Sequence, residues 1–174
     1  MKKFAFLFLL LLSTSAVFAQ GPLKIGYVDS EVILQQFPES IKAQGELEAI
    51  VKGWRAQIDS LQQDLQSDYA DYQKKAAMMK EAQKAEAQQK LVQKQQAAEE
   101  FNKQKFDRQN GEIAQKQELI MKPVKEKIFK AIEGVAKEEG MSFVFDKTGE
   151  ILLLYADNSF DITFKVLDKL KRGK

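Results

Sequence analysis

Between Glu39 and Glu139 the chain carries a single proline, Pro123, and is built mainly from Ala, Gln, Lys and Glu. These are good helix formers, and a helical stretch this long exceeds the usual globular helix, so a coiled coil is the default expectation. The apolar residues agree. Leu47, Val51, Trp54, Ile58, Leu61, Leu65, Tyr72 and Met79 follow one another at steps of 4, 3, 4, 3, 4, 7 and 7. That is a heptad seam with Asp68 and Lys75 as its polar interruptions. A second seam of weaker periodicity runs through Leu91, Ala98, Phe106, Ile113 and Ile120.

A fold-back near residues 80–83 lays the two seams against each other. Ile50 then faces Ile113, Ile58 faces Phe106, Leu65 faces Ala98 and Tyr72 faces Leu91, with Trp54 beside Gln109–Gly111. An antiparallel hairpin accounts for both seams, and each limb would run about 60 Å at the rise of an α-helix. The tip sequence Lys80-Glu81-Ala82-Gln83 has no Gly, Pro or Asn to force a turn. The competing arrangement is one uninterrupted helix that pairs with a second chain. Gly53 and Gly111 fall at one level of the hairpin register, where the pair would form a hinge or Gly111 would make room for Trp54.

Charge is polarised along this arm. Residues 39–72 hold three basic and seven acidic side chains, whereas residues 74–94 hold six lysines and two glutamates. The seam also thins there: the large apolar residues of residues 74–94 are only Met78, Met79, Leu91 and Val92, so local stability should be low. Lys74, Lys75, Met78, Met79, Lys80 and Lys84 are the candidate binding residues: lysines for encounter with an anionic partner, methionines for adaptable apolar contact.

The chain opens with Lys2 and Lys3, an apolar run from Phe4 to Leu12, and small residues ending in Val17-Phe18-Ala19. This is the pattern of a secretory signal peptide over residues 1–19, with cleavage after Ala19. The mature chain would carry equal numbers of acidic and basic residues, since Lys2 and Lys3 account for the formal +2. Neutrality argues against a nucleic-acid binder. The chain has no Cys and no His, which removes disulfides, thiolate chemistry, and imidazole as base or metal ligand. Catalysis by carboxylates alone would fall to Asp146, Asp157 and Asp161, but each reads better as a turn residue or helix cap. Neither a metal nor a cofactor is expected.

Residues 20–38 and 123–174 flank the arm, residues 39–122, and read as a small β-containing body. Leu23–Asp29 alternates like a strand, and Ser30–Phe37 reads as a short helix capped by Asp29 or Ser30 and ended by Pro38. Pro123 is placed to kink the returning helix, which should stop at Gly140. Residues 141–146 and 150–156 read as a β-hairpin turning at Lys147-Thr148-Gly149. Asp161 or Thr163 then caps a last helix with Val166, Leu167 and Leu170 inward. Three strands cannot bury their own apolar residues, and their edges are open. Several copies closing a β-structure would solve both problems, with Ile25, Tyr27, Val144, Leu152 and Leu154 as its core.

Taken in order, Lys24-Ile25-Gly26-Tyr27-Val28-Asp29, Phe37-Pro38-Glu39, the long hairpin, Phe143-Val144-Phe145-Asp146-Lys147, Leu154-Tyr155-Ala156-Asp157 and Asp161-Ile162-Thr163 resemble the Skp/OmpH family of periplasmic chaperones. The resemblance spans the whole mature chain. It implies an α+β fold: a long antiparallel coiled-coil hairpin projecting from a small β body, in a homotrimer with an intersubunit β-barrel. It also implies an ATP-independent holdase that keeps unfolded outer-membrane β-barrel proteins in a cavity between its arms. No enzyme activity is implied. Members of the family tend to be strongly basic and this mature chain is neutral, so no lipopolysaccharide or membrane site is carried over. The alternative function is a coiled-coil spacer or adaptor of the cell envelope.

Overall fold

The computed structural model describes residues 23–149 and 153–173, which form helices and a small sheet in two compact units. One unit is Gln36–Lys127. The other takes the described residues up to Gln35 and those from Ile128 onward. The signal-peptide reading and Leu152 lie outside the described residues.

The first unit is an antiparallel helical hairpin. Helix α2, Pro38–Lys75, starts with proline at its first turn, where a missing N–H costs nothing. Pro38 therefore does more than end the preceding helix: it opens the next one. A 3-10 turn, Ala76–Met78, leads to helix α3, Glu81–Phe106. The reversal thus occupies residues 76–80, a few residues before the expected tip, and needs no glycine. Ala76–Met78 tighten the helix end, and Gln83 Oε1 accepts from the Lys80 N–H at 3.0 Å to start α3.

The register is close to that expected. Gln88 donates to Tyr72 Oη at 2.8 Å, and Lys94 pairs with Asp68. Every residue of the first seam from Leu47 to Met79 is half-buried. In the second seam Ala98 is buried and the others are half-buried. Full burial concentrates at Phe37, Ser40, Ala43, Met121 and Val124, far in sequence from the turn.

One sequence expectation is overturned. The returning limb is not one helix: α3 stops at Phe106, and helix α4, Glu112–Glu138, begins after a break. Asp107 makes the break. Its carboxylate accepts from the N–H groups of Gln109 and Asn110, each at 2.9 Å, offering the backbone an alternative to the helix. These bonds hold the Asp107 carboxyl below its ordinary value. The Trp54 indole consequently meets Phe106 edge-on, centroids 5.9 Å apart, rather than Gly111. Gly111 makes room for backbone: a Cβ there would lie 2.4 Å from the Asp107 carbonyl oxygen. Gly53, inside α2, has nothing within 4 Å of its own would-be Cβ.

In the second unit, strand β1, Ile25–Val28, pairs in parallel with β2, Phe143–Asp146. Parallel strands need a long connection, and here it takes in the entire hairpin. The Ser142 N–H donates to Lys24 O at 2.8 Å and that of Lys147 to Val28 O at 2.7 Å, continuing the ladder at both ends. Helix α1, Ser30–Gln36, is capped by Asp29, whose Oδ1 accepts from the Val32 N–H at 2.9 Å. Helix α5, Thr163–Arg172, buries Val166 and Leu167 and half-buries Leu170. Pro123 lies inside α4 without ending it. The helix closes on Gly140, at φ +65°, with Met141 N–H bonding to Ala136 O at 2.8 Å and Gly140 N–H to Lys137 O at 3.2 Å. That is the glycine-terminated C-cap. Glu139 then binds both neighbours, taking Lys165 in an ion pair and the Lys24 ammonium on its carbonyl at 2.7 Å.

Residues 150–152, the start of the second strand of the expected β-hairpin, lie outside the described residues. β2 pairs with β1, and residues 153–157 lie outside any strand. β1 also takes a single bridge to Asp161, with the Ile162 N–H on Tyr27 O at 3.0 Å. All three candidate carboxylates serve local structure. Asp157 accepts from Ser159 N–H at 2.8 Å, Asp161 from Thr163 N–H at 2.8 Å, and Asp146 from the N–H groups of Ser30 and Thr148 at 3.2 and 3.1 Å.

The two glycines of the hairpin should respond oppositely to substitution. Gly53→Ala should stabilise the protein by up to about 1 kcal/mol, because alanine is the better helix former and meets no neighbour. Gly111→Ala should cost about 1–3 kcal/mol by forcing the backbone apart, so urea midpoints should move in opposite directions. For Asp146, burial pushes the carboxyl up, but hydrogen bonds from Ser30 and Thr148 outweigh it and leave it below 3.8. A depressed folded value means stability that is present above the unfolded value and is lost as pH falls through the folded one. Asp146→Asn should therefore lower stability by about 1–3 kcal/mol at pH 7, and its deficit against the parent should shrink in titrations below about pH 4.

Candidate functional site

The candidate binding residues gather at the hairpin turn. Lys74 and Lys75 end α2, Met78 lies in the 3-10 turn, and Lys80 precedes α3, which carries Lys84 in its first turn. Met78 is 82% exposed, whereas Met79 is half-buried on the seam. The structure brings all six together by chain proximity and adds acidic partners. Lys74 and Lys75 share Asp71 at 3.8 and 3.7 Å, Lys84 meets Glu81 at 2.8 Å, and Lys90 meets Glu86 at 2.8 Å. Lys94 reaches across the hairpin to Asp68; that hydrogen bond raises the Lys94 value above the ordinary 10.5. Among the described residues, Lys80 alone of the six lysines has no carboxylate in contact. Counted with Asp68 and Asp71, which the fold draws into the cluster, the tip carries a net +2, half of what its lysines and glutamates alone give.

Two apolar-floored grooves lie along the hairpin. The one nearer the turn, about 650 Å³, has Leu65, Tyr69, Tyr72, Leu91 and Val92 in its walls. The other, about 750 Å³, is floored by Leu47, Val51 and Ile113 beside Lys52 and Arg55. Tyr69 and Val92, both more than half exposed, extend the apolar surface beyond the seam. The heptad pattern passes over both. Tyr69 sits one residue past the seam position held by Asp68, and Val92 one past Leu91.

In the second unit, Tyr27 is buried and Val144 half-buried, whereas Ile25 and Phe143 at the start of each strand are exposed. Leu154 and Tyr155 are 87% and 84% exposed.

This chain matches the family model described as outer membrane protein (OmpH-like) over residues 24–170, and it belongs to that family. It is 29% identical over 148 residues to the Chaperone protein Skp of Yersinia enterocolitica, covering 85% of this chain and 86% of that one. Against the Chaperone protein Skp of Pectobacterium atrosepticum it is 29% identical over 163 residues, covering 93% of each. A crystal structure from Caulobacter crescentus, of an OmpH-like outer membrane chaperone, superposes with a TM-score of 0.73 at 14% identity. It covers 91% of this chain and 92% of that one, and shows the shared fold.

Proposed function

We propose that the protein is an ATP-independent periplasmic holdase for unfolded outer-membrane β-barrel proteins, exported with cleavage after Ala19 and acting as a homotrimer. The observation that carries this reading is the incompletely sealed arm. Its seam residues are half-buried, and two apolar-floored grooves open along it. Such a surface offers many weak contacts and no fixed specificity, which suits clients that share composition rather than sequence. Membership of the OmpH-like family and the two Skp relatives support the same reading. A spacer would call for a seam filled to its end; here full burial fades toward the turn. The exposed Ile25 and Phe143, paired across the two strands, and the exposed Leu154 and Tyr155 support assembly, because large apolar side chains left in water on one chain suit an interaction surface.

The purified mature protein should suppress aggregation of a urea-denatured outer-membrane β-barrel without nucleotide, read by light scattering. Sedimentation at micromolar concentration should give a trimer. A folded monomer that leaves aggregation unchanged would overturn the reading.

The lysines should act on encounter rather than retention, since exposed charges are screened over about 8–10 Å at physiological salt. Changing Lys74, Lys75, Lys80 and Lys84 to Gln should slow capture of an anionic client in stopped-flow at low salt. The release rate should change little. Because three of the four already face carboxylates, most of the slowing should be reproduced by Lys80→Gln alone.

A further inference from the structure

One ammonium group ties three helices together. Lys105, in the last turn of α3, places Nζ 5.2 Å from the centroid of Trp54 on α2 and 5.4 Å from that of Phe101 on α3. It also forms an ion pair with Glu112, the first residue of α4. Its side chain is only 15% exposed, so solvent and salt screen these interactions less than those of the tip lysines. Among the described residues, no other lysine combines a cross-helix aromatic contact with an ion pair.

The surroundings of this cation are weak in both limbs. The returning limb is broken over residues 107–111, where Asp107 draws the backbone into a turn. On α2, the residue beside Trp54 is Gly53, a poor helix former whose would-be Cβ would meet nothing within 4 Å. Helices kink where the hydrogen-bond ladder is interrupted or a glycine weakens it. Here both limbs meet that condition beside Lys105.

We propose that Gly53 and residues 107–111 form a joint in the arm, and that Lys105 is the latch that holds it. The cation contributes to three partners at once: the Trp54 ring opposes movement of α2, the Phe101 ring fixes the lysine stem on α3, and Glu112 closes the break to α4. Removing the charge frees all three, and the limb with a glycine at that level then opens most easily. The proposal concerns the arm itself and stands whether or not the arm holds unfolded clients.

Amide hydrogen exchange on the full mature protein tests it. Lys105→Met keeps the apolar stem and removes the cation. It should speed exchange about tenfold in peptides covering residues 51–58 and 105–112, as expected when a desolvated cation–aromatic interaction and its ion pair are removed together. Exchange around the turn, residues 70–90, should stay at the parental rate. Glu112→Gln should give a smaller rise in the same two regions. Adding Gly53→Ala to Lys105→Met should return residues 51–58 toward the parental rate while 105–112 stay fast. Acrylamide should quench Trp54, the sole indole, more strongly in Lys105→Met. Faster exchange in 105–112 with 51–58 unchanged would overturn the joint, since the latch would then serve only the break. A uniform rise through the whole arm, tip included, would also overturn it, because it would show global destabilisation.

Discussion

Two helices packed only against each other cannot seal a seam. Each presents a stripe to the other, and the residues on that stripe keep one flank open to water. This constraint governs the hairpin. Leu47, Val51, Trp54, Ile58, Leu61, Leu65, Tyr72 and Met79 all sit in the seam, yet each remains half-buried. At about 25 cal/mol per Å² of apolar surface removed from water, half-burial forfeits much of the stabilisation a globular core would provide. The arm compensates with strong helix formers and with ion pairs along its flanks, each of them weak alone. The same openness creates the grooves beside Leu65–Leu91 and Leu47–Ile113. Marginal packing and a broad apolar surface are thus one property seen twice.

What is legible in the sequence follows from this constraint. A heptad period survives partial burial, so both seams and their approximate register can be read from spacing alone. Helix ends with a dedicated chemistry are also legible: Asp29 before α1 and Gly140 after α4. Before α5 the cap position falls to Ile162, which makes no side-chain cap bond, while Asp161 accepts from the Thr163 N–H one residue further on. The turn is harder. Ala76–Met78 reverse the chain through a 3-10 tightening, and a Gln83 side chain does the capping that serine or aspartate would announce. The break at Asp107 is hidden for a related reason. Asp107-Arg108-Gln109-Asn110 looks like the solvated face of a helix, and only the side-chain bonds to Gln109 and Asn110 turn it out.

In the β body, local pattern does not show the distant pairing. Phe143–Asp146 is a strand as expected, and among the described residues its partner is Ile25–Val28, from the other end of the chain. A turn such as Lys147-Thr148-Gly149 favours a local hairpin. Here Asp146 accepts from Ser30 and Thr148 together, so the carboxylate that shapes that turn also anchors the start of α1. No local rule reveals a bond to a residue so far away in the chain. Leu154 and Tyr155 read as strand residues because they are apolar, yet they are almost fully exposed. The apolar signal is real; what it marks in the single chain is surface.

Charge gives the clearest case of arithmetic corrected by geometry. Counting residues 74–94 alone gives a strongly basic tip beside an acidic shaft. The fold puts the boundary elsewhere: Asp71 lies one turn from Lys74 and Lys75, and Asp68 faces Lys94 across the hairpin. Pairs one turn apart on a helix are expected of any solvated face. The Asp68–Lys94 pair is different, because it spans the two limbs at a seam position that carries no apolar side chain. It links the two limbs at a level where burial cannot. Lys105 does the same work further along, where the returning limb is broken and the seam is carried by Trp54 and Phe106. In both places a cation on α3 bridges to α2, once where the seam lacks an apolar side chain and once beside the break in the returning limb. The register of this arm is therefore set by a half-buried seam and supplemented by discrete cross-limb contacts at levels where the seam is interrupted or the limb is broken.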